Sequence, residues 1–154
     1  MRVEDLRILV VDDNANIRRL ITTILRSVNI KEVRDAASGA EALEIMKSAP
    51  IDLVLSDYVM EGMNGAELTK RIRDEIDHDD TRVPIIIVTG YSEVARLNDA
   101  KLAGVNDFLA KPFTTKTLLQ RITRAATANL TLQEMEDLAR MRHGQTGDRA
   151  KGVG

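Results

Sequence analysis

Four short apolar runs alternate with helical patterns along this chain, and each run leads into a residue able to do chemistry. Ile8-Leu9-Val10-Val11 leads into Asp12-Asp13, and the run closing at Leu53-Val54-Leu55-Ser56 leads into Asp57. Ile85-Ile86-Ile87-Val88 leads into Thr89-Gly90, and Asp107-Phe108-Leu109-Ala110 into Lys111-Pro112. Strand candidates are residues 7–11, 32–35, 53–56, 85–89 and 107–110. The first, third and fourth show little polar alternation, as strands covered on both faces should.

Helical periodicity fills the gaps. Residues 14–27 set Ile17, Leu20, Ile21, Ile24 and Leu25, with Val28 beyond, on one stripe at spacings of three and four. Residues 38–48 open with Ser38 and Glu41 at capping-box spacing and then offer Ala42, Leu43 and Met46. Leu68, Ile72 and Ile76 mark a helix over 65–76. Val94, Leu97 and Leu102 mark one over 92–103, with Gly104 placed to end it. Leu118, Leu119, Ile122 and Ala126 mark one over 115–128.

Alternating strands and helices predict an α/β fold, a parallel sheet with crossover helices on both faces. Ligands in such sheets bind beyond the carboxyl ends of the strands. Asp12, Asp13, Asp57, Thr89 and Lys111 all fall there. Taken singly, each has an ordinary use: Asp12-Asp13 before Asn14 suits a helix cap, and Asp57 and Lys111-Pro112 suit turns. Taken together, on four separate segments, they point to one site.

Composition narrows the chemistry. Hydrophobic residues make up 44% of the 154, enough for a core, and aromatics only 3%, so that core is aliphatic. A net charge of -2 gives no basic excess for a nucleic-acid backbone. There are no cysteines, so thiolate metal sites are excluded. The charged start Met1-Arg2-Val3-Glu4-Asp5 is unlike a secretory signal, and no apolar run is long enough to cross a bilayer. A cytoplasmic setting without membrane association follows as the simplest expectation.

Three gathered carboxylates repel one another, and a hard divalent cation relieves that repulsion. Oxygen donors without His or Cys favour Mg²⁺ over zinc. With a lysine and a hydroxyl beside them, the set suits phosphoryl transfer, for which an Asp can be the nucleophile.

At this point the chain resembles the receiver domain of two-component response regulators. The resemblance covers residues 5–128. It rests on Ile8 to Asp13, on Asp57-Tyr58-Val59-Met60 with Met63-Asn64-Gly65, on Thr89-Gly90, and on the stretch Ala103 to Phe113 containing Lys111-Pro112. It implies a flavodoxin-like, doubly wound, five-stranded parallel sheet in the order 2-1-3-4-5 with five helices. It implies Asp57 as phosphoacceptor, with Asp12, Asp13, Asp57 and the Val59 backbone carbonyl around Mg²⁺. Thr89 and Lys111 would contact the phosphoryl group, Thr89 and Phe108 would form the switch, and Lys111-Pro112 would be cis.

Two positions depart from the family's habit. Glu61 follows Met60 where Pro is common, and Phe108 stands where chemotaxis-type members often carry Tyr.

The implied function is a phosphorylation-activated signalling switch that catalyses only its own phosphorylation and dephosphorylation. Its partners would be a histidine kinase or histidine phosphotransfer protein and a downstream protein target, with the receiver itself a monomer or weak dimer. A relay intermediate or a phosphate sink for a shared kinase carries the same motifs and differs in kinetics. An Mg²⁺-dependent phosphohydrolase is a weaker alternative, because Val59 lies two residues after Asp57 where a general acid is needed.

Beyond the receiver, Thr131 to His143 within 129–143 has the pattern of an amphipathic helix able to pack, dimerise or dock. Residues 144–154 read as a flexible tail, and the segment after 128 is too short for another ordinary domain. The acidic stretch 74–80 reads as a solvated loop. His78 and His143 lack metal-ligand spacing.

Overall fold

A computed structural model describes residues 2–77, 82–90, 100–101 and 103–127. Five parallel strands form one sheet: β1 (Arg7–Val11), β2 (Glu32–Ala36), β3 (Leu53–Asp57), β4 (Ile85–Thr89) and β5 (Asp107–Ala110), ordered β2-β1-β3-β4-β5. The order, the parallel pairing and the doubly wound class agree with the sequence. Strands β1, β4 and β5 have the predicted bounds. Strand β2 runs one residue further, to Ala36, and β3 takes in Asp57 itself, because Asp57 pairs with Val88 of β4.

Period-two alternation divides the core. Ile8, Val10, Leu53, Leu55, Ile86, Val88 and Leu109 face one side. Helix α1 (Ala15–Ser27) packs there through Ile21 and Leu25, together with the helix over residues 115–127 through Leu118 and Ile122. Leu9, Val11, Val54, Ile85 and Ile87 face the other side. They meet Ala42, Leu43 and Met46 of α2 (Gly39–Ser48) and Leu68 and Ile72 of α3 (Gly65–Glu75). With both faces covered, β3 and β4 are buried at every position, which is why both are aliphatic up to their carboxyl ends, where Ser56-Asp57 and Thr89 stand.

Local chemistry sets the helix ends. Asn14 caps α1, its side chain accepting from the backbone N–H groups of Asn16 and Ile17, so the helix proper starts one residue later than predicted. Ser38 caps α2 through the Glu41 N–H, but the Glu41 carboxylate reaches Ala37 instead of Ser38, which leaves the predicted capping box half formed. A complete box occurs at α3, where the Asn64 side chain accepts from Glu67 N–H and the Glu67 carboxylate accepts from Asn64 N–H. The fourth predicted helix lies mostly outside the described residues. Its end at Ala100, Lys101 and Ala103 is helical and closes as predicted at Gly104. Gly104 has φ +102°, with Gly104 N–H bonded to Lys101 O and Val105 N–H to Ala100 O. The predicted helix over 131–143, the tail 144–154 and both histidines also lie outside the described residues.

Two expectations need correction. Leu20, on the apolar stripe that the spacing predicts for α1, is 51% exposed. Ile21 and Leu25 are the buried centre of that stripe, with Ile17, Ile24 and Val28 partly buried beside them, and Leu20 sits on its shoulder. The acidic stretch 74–80 is not uniformly solvated either. The Asp77 side chain is 8% exposed and forms an ion pair with Arg73 at 2.7 Å. Among the described residues, no helix is long and apolar enough to cross a membrane.

At the amino ends of the strands, Arg7 and Asp52 bind β1 to the start of β3. Asp52 accepts from Arg7 N–H, Nε and Nη2 at 2.8, 2.8 and 3.1 Å. Burial pushes the Asp52 carboxyl up, but the Arg7 side-chain and backbone bonds outweigh it and hold the carboxyl below its ordinary value. A depressed carboxyl pKa contributes stability that is present above the unfolded value of about 3.9 and is lost as pH falls through the folded value. Asp52→Asn should therefore cost stability near neutrality, and the gap to the unsubstituted protein should narrow as pH falls below about 4. Urea unfolding across that range checks this; a gap that is constant with pH would refute it.

Candidate phosphoryl-transfer site

The register of the sheet assembles the site. Val11 pairs with Ser56, so Asp12 and Asp57 emerge side by side from neighbouring strands. Asp57 pairs with Val88, which brings Thr89 one residue beyond it. Thr89 pairs with Ala110, and Lys111 follows. The ladder continues past the strands through Asp12 N–H to Ala36 O, Tyr58 N–H to Val88 O, and Lys111 N–H to Thr89 O. Lys111 thus starts two steps further along the edge than Asp57, and its long stem reaches back. Lys111 Nζ lies 2.8 Å from Asp57 Oδ1. The Lys111–Pro112 bond is cis.

Asp12, Asp13 and Asp57 each present a carboxylate oxygen, and these atoms lie within 4.8 Å of one another. Asp12 is 2% and Asp57 7% exposed, whereas Asp13 faces solvent. Each carboxylate is also held locally. Asp57 Oδ1 accepts from Tyr58 N–H as well as from Lys111, which fixes its rotation. Asp12 Oδ1 accepts from Asn14 N–H at 2.8 Å, and Asp13 Oδ2 accepts from Glu61 N–H at 3.0 Å. Burial foremost pushes Asp12 above the ordinary carboxylate range. The Asn14 N–H and the Lys111 charge oppose this, while the charges of Asp57 and Asp13 add to it.

Magnesium fits this donor set. It takes hard oxygen ligands and favours few carboxylates completed by waters, and three carboxylate oxygens converge here within 4.8 Å. An added positive charge would also relieve the carboxylate repulsion felt at Asp12. Among the described residues this is the only such group of acids, histidines or cysteines.

The remaining predicted residues are placed as follows. Thr89 is 5% exposed, and its hydroxyl donates to Gly90 O at 3.3 Å. Val59, 45% exposed, lies on the loop leaving β3. Phe108 pairs with Ile87 and packs partly buried on the α2–α3 side of the core. Glu61, which stands where Pro is common, reaches the site through its backbone N–H, a donor that Pro would lack.

Gly65 holds that loop in place. Its N–H donates to Tyr58 O at 2.8 Å, and a Cβ there would stand 2.8 Å from Asp57 O and 2.9 Å from Ile87 Cδ1. A side chain at 65 would push α3 off the end of β3. The Asn64–Gly65 pair was visible in the sequence as part of the family resemblance, but the close approach it serves was not.

A doubly wound sheet with an acidic cleft and a lysine at its carboxyl edge defines a class of phosphoryl-handling domains. The family model for the response regulator receiver domain matches residues 8–123. Chemotaxis protein CheY-3 of Vibrio cholerae is 32% identical over 123 residues, covering 79% of this chain and 92% of that protein. The structure of chemotaxis response regulator CheY4 of Vibrio cholerae aligns with a TM-score of 0.71 at 31% identity, covering 79% of this chain and 98% of that one. The receiver domain of a sensor histidine kinase from Pseudomonas aeruginosa, solved with a magnesium ion in its active site cleft, aligns with a TM-score of 0.71 at 30% identity over 80% of this chain and 98% of that one. The chain belongs to the response regulator receiver domain family, whose members act as phosphorylation-dependent switches in two-component systems.

Proposed function

We propose that Asp57 is the phosphoacceptor of this receiver, and that Asp12, Asp13, Asp57 and the Val59 carbonyl hold Mg²⁺. One observation carries the reading: Lys111 Nζ is seated 2.8 Å from the carboxylate that shares a cleft with Asp12 and Asp13. The phosphodonor is a phosphohistidine on a kinase or phosphotransfer protein of the cytoplasm. An Asp57 carboxylate oxygen attacks phosphorus as the P–N bond to imidazole breaks. The electron pair stays on the imidazole, and a proton from solvent completes it as the neutral ring. Lys111 screens the charge between carboxylate and incoming phosphoryl oxygens. Bound Mg²⁺ supplies further charge neutralisation at those oxygens.

The chain is thereby a catalyst of its own modification and not of a small-molecule turnover. The exposed apolar Val59 cannot donate or accept the proton that ester hydrolysis requires. Once Asp57 carries the phosphoryl dianion, the Thr89 hydroxyl has a stronger acceptor than Gly90 O and turns to it. Phe108, on the strand beside Thr89, repacks, altering the surface of β5 and the 115–127 helix toward a protein target. The modification biases two states of one fold.

Incubation with Mg²⁺ and acetyl phosphate, read by intact mass, tests this. One phosphoryl increment, lost on chelation of Mg²⁺, is the expected result. Absence of both an increment and beryllofluoride binding would overturn the proposal.

A further inference from the structure

One side chain outside the acidic cleft fixes its backbone. Arg18, on the first turns of α1, donates from Nη1 to Asp12 O at 2.8 Å and from Nε to Asp35 Oδ2 at 2.7 Å. Its side chain is 19% exposed. Asp35 lies on the edge strand β2, opposite Val10 in register. One planar guanidinium therefore spans three elements: the end of β1, the end of β2 and the start of α1.

An arginine–aspartate pair at a surface ordinarily contributes little. What differs here is the second bond. The Asp12 carbonyl belongs to the peptide joining Asp12 to Asp13, so its direction sets the plane from which the Asp13 side chain departs. Asp12 is otherwise pinned at its N–H by Ala36 O and at its carboxylate by Asn14 N–H. Without Arg18 that peptide plane loses the only side-chain bond to its carbonyl seen among the described residues. Asp13, exposed and on the loop side, then keeps the bond from Glu61 N–H to its Oδ2 as its one side-chain tie seen among the described residues, and is the carboxylate with most freedom to move.

We infer that Arg18 is a positioning residue for the cation: by holding the Asp12–Asp13 peptide it presets the two carboxylates at the spacing Mg²⁺ requires, and Asp35 orients Arg18 in turn. This rests on the Mg²⁺ reading of the preceding subsection. Residues that orient ligands typically alter metal affinity by about 10–100-fold when removed. The lower end applies here, because the carbonyl of Asp12, and not its carboxylate, is the atom held.

Titration calorimetry of the full chain with MgCl2 tests this, beside thermal melts without Mg²⁺. Arg18→Met should weaken Mg²⁺ binding about tenfold. Arg18→Lys, with one compact donor head, can serve the carbonyl but not both partners, and should recover part of the loss. Asp35→Asn, a change at an exposed edge, should weaken binding in the same direction by a smaller factor. Melting temperature need not follow this order. Affinity unchanged in Arg18→Met and Asp35→Asn, with only the melting temperature lowered, would overturn the inference and leave Arg18 a plain structural tie. If Arg18→Met fails to fold, Asp35→Asn decides alone. No Mg²⁺ binding by the unsubstituted protein would instead sink the Mg²⁺ reading itself, a separate outcome.

Discussion

Replacing Asp57 by Asn is expected to abolish phosphoryl uptake from acetyl phosphate while the chain stays folded. The amide oxygen can still accept from Lys111 Nζ and Tyr58 N–H, the two donors now on Oδ1. Size and rotamer are conserved, so the cleft keeps its shape. What disappears is the anionic nucleophile, and a neutral amide oxygen does not displace imidazole or acetate from phosphorus at a useful rate. The same change removes one of three negative charges facing the proposed ion. Binding stabilises a fold by RT ln(1 + [L]/Kd), about 2.7 kcal/mol when free ligand is a hundredfold above Kd. The unsubstituted protein should therefore melt higher as Mg²⁺ is added, and Asp57→Asn should respond much less. Intact mass and melts with and without Mg²⁺ read both effects. Uptake by Asp57→Asn at the unsubstituted rate would move the nucleophile elsewhere and end the proposal. An equal Mg²⁺ response would remove Asp57 from the ligand set.

Much of this site was legible in the sequence for a physical reason. Strands covered on both faces must be aliphatic throughout, so Ile8–Val11 and Ile85–Val88 announce themselves. The residues that break such runs at the carboxyl end stand at the ligand edge of any doubly wound sheet. Asp12, Asp57, Thr89 and Lys111 needed no more than that to be found. Groups whose partners are fixed by register stayed hidden. Arg7 finds Asp52, and Arg18 finds both Asp35 and a carbonyl, across distances in sequence that no spacing rule encodes. The Asn64–Glu67 box lies outside the Ser/Thr-x-x-Glu signature of a capping box, although Asn caps as well. Leu20 misled because a stripe drawn by threes and fours has shoulders, and only the packed structure says where the covered arc ends. Asp77 misled because a run of acids reads as solvated until a buried cation is seen to need one of them.

That cation makes the largest stability effect calculable in direction. Arg73 Nη1 lies 2.7 Å from Asp77 Oδ2 and 2.7 Å from Val83 O, and Nη2 lies 2.8 Å from Gly104 O and from Asn106 Oδ1. The Arg73 and Asp77 side chains are 9% and 8% exposed. Burial lowers the Arg73 pKa most strongly, and the Asp77 hydrogen bond and charge oppose it. Arg73→Met should thus leave a desolvated carboxylate without its counter-charge, keeping only the Val83 N–H bond to Oδ1, together with two carbonyls, and destabilise the fold by about 3–5 kcal/mol. Asp77→Asn should cost less, because Arg73 keeps its carbonyl partners. Combining Arg73→Met with Asp77→Leu should return part of the loss, since an apolar pair carries no stranded charge. Urea unfolding separates these outcomes; a cost below about 1 kcal/mol for Arg73→Met would mean the pair behaves as a solvated one. The network joins the end of α3 to Ile85, where β4 begins, through Asn106. It therefore grips the edge of the sheet opposite Asp57. Any Arg73→Met protein that remains folded should take up phosphate at the unsubstituted rate, which separates the chain's stability from its chemistry by the length of a strand.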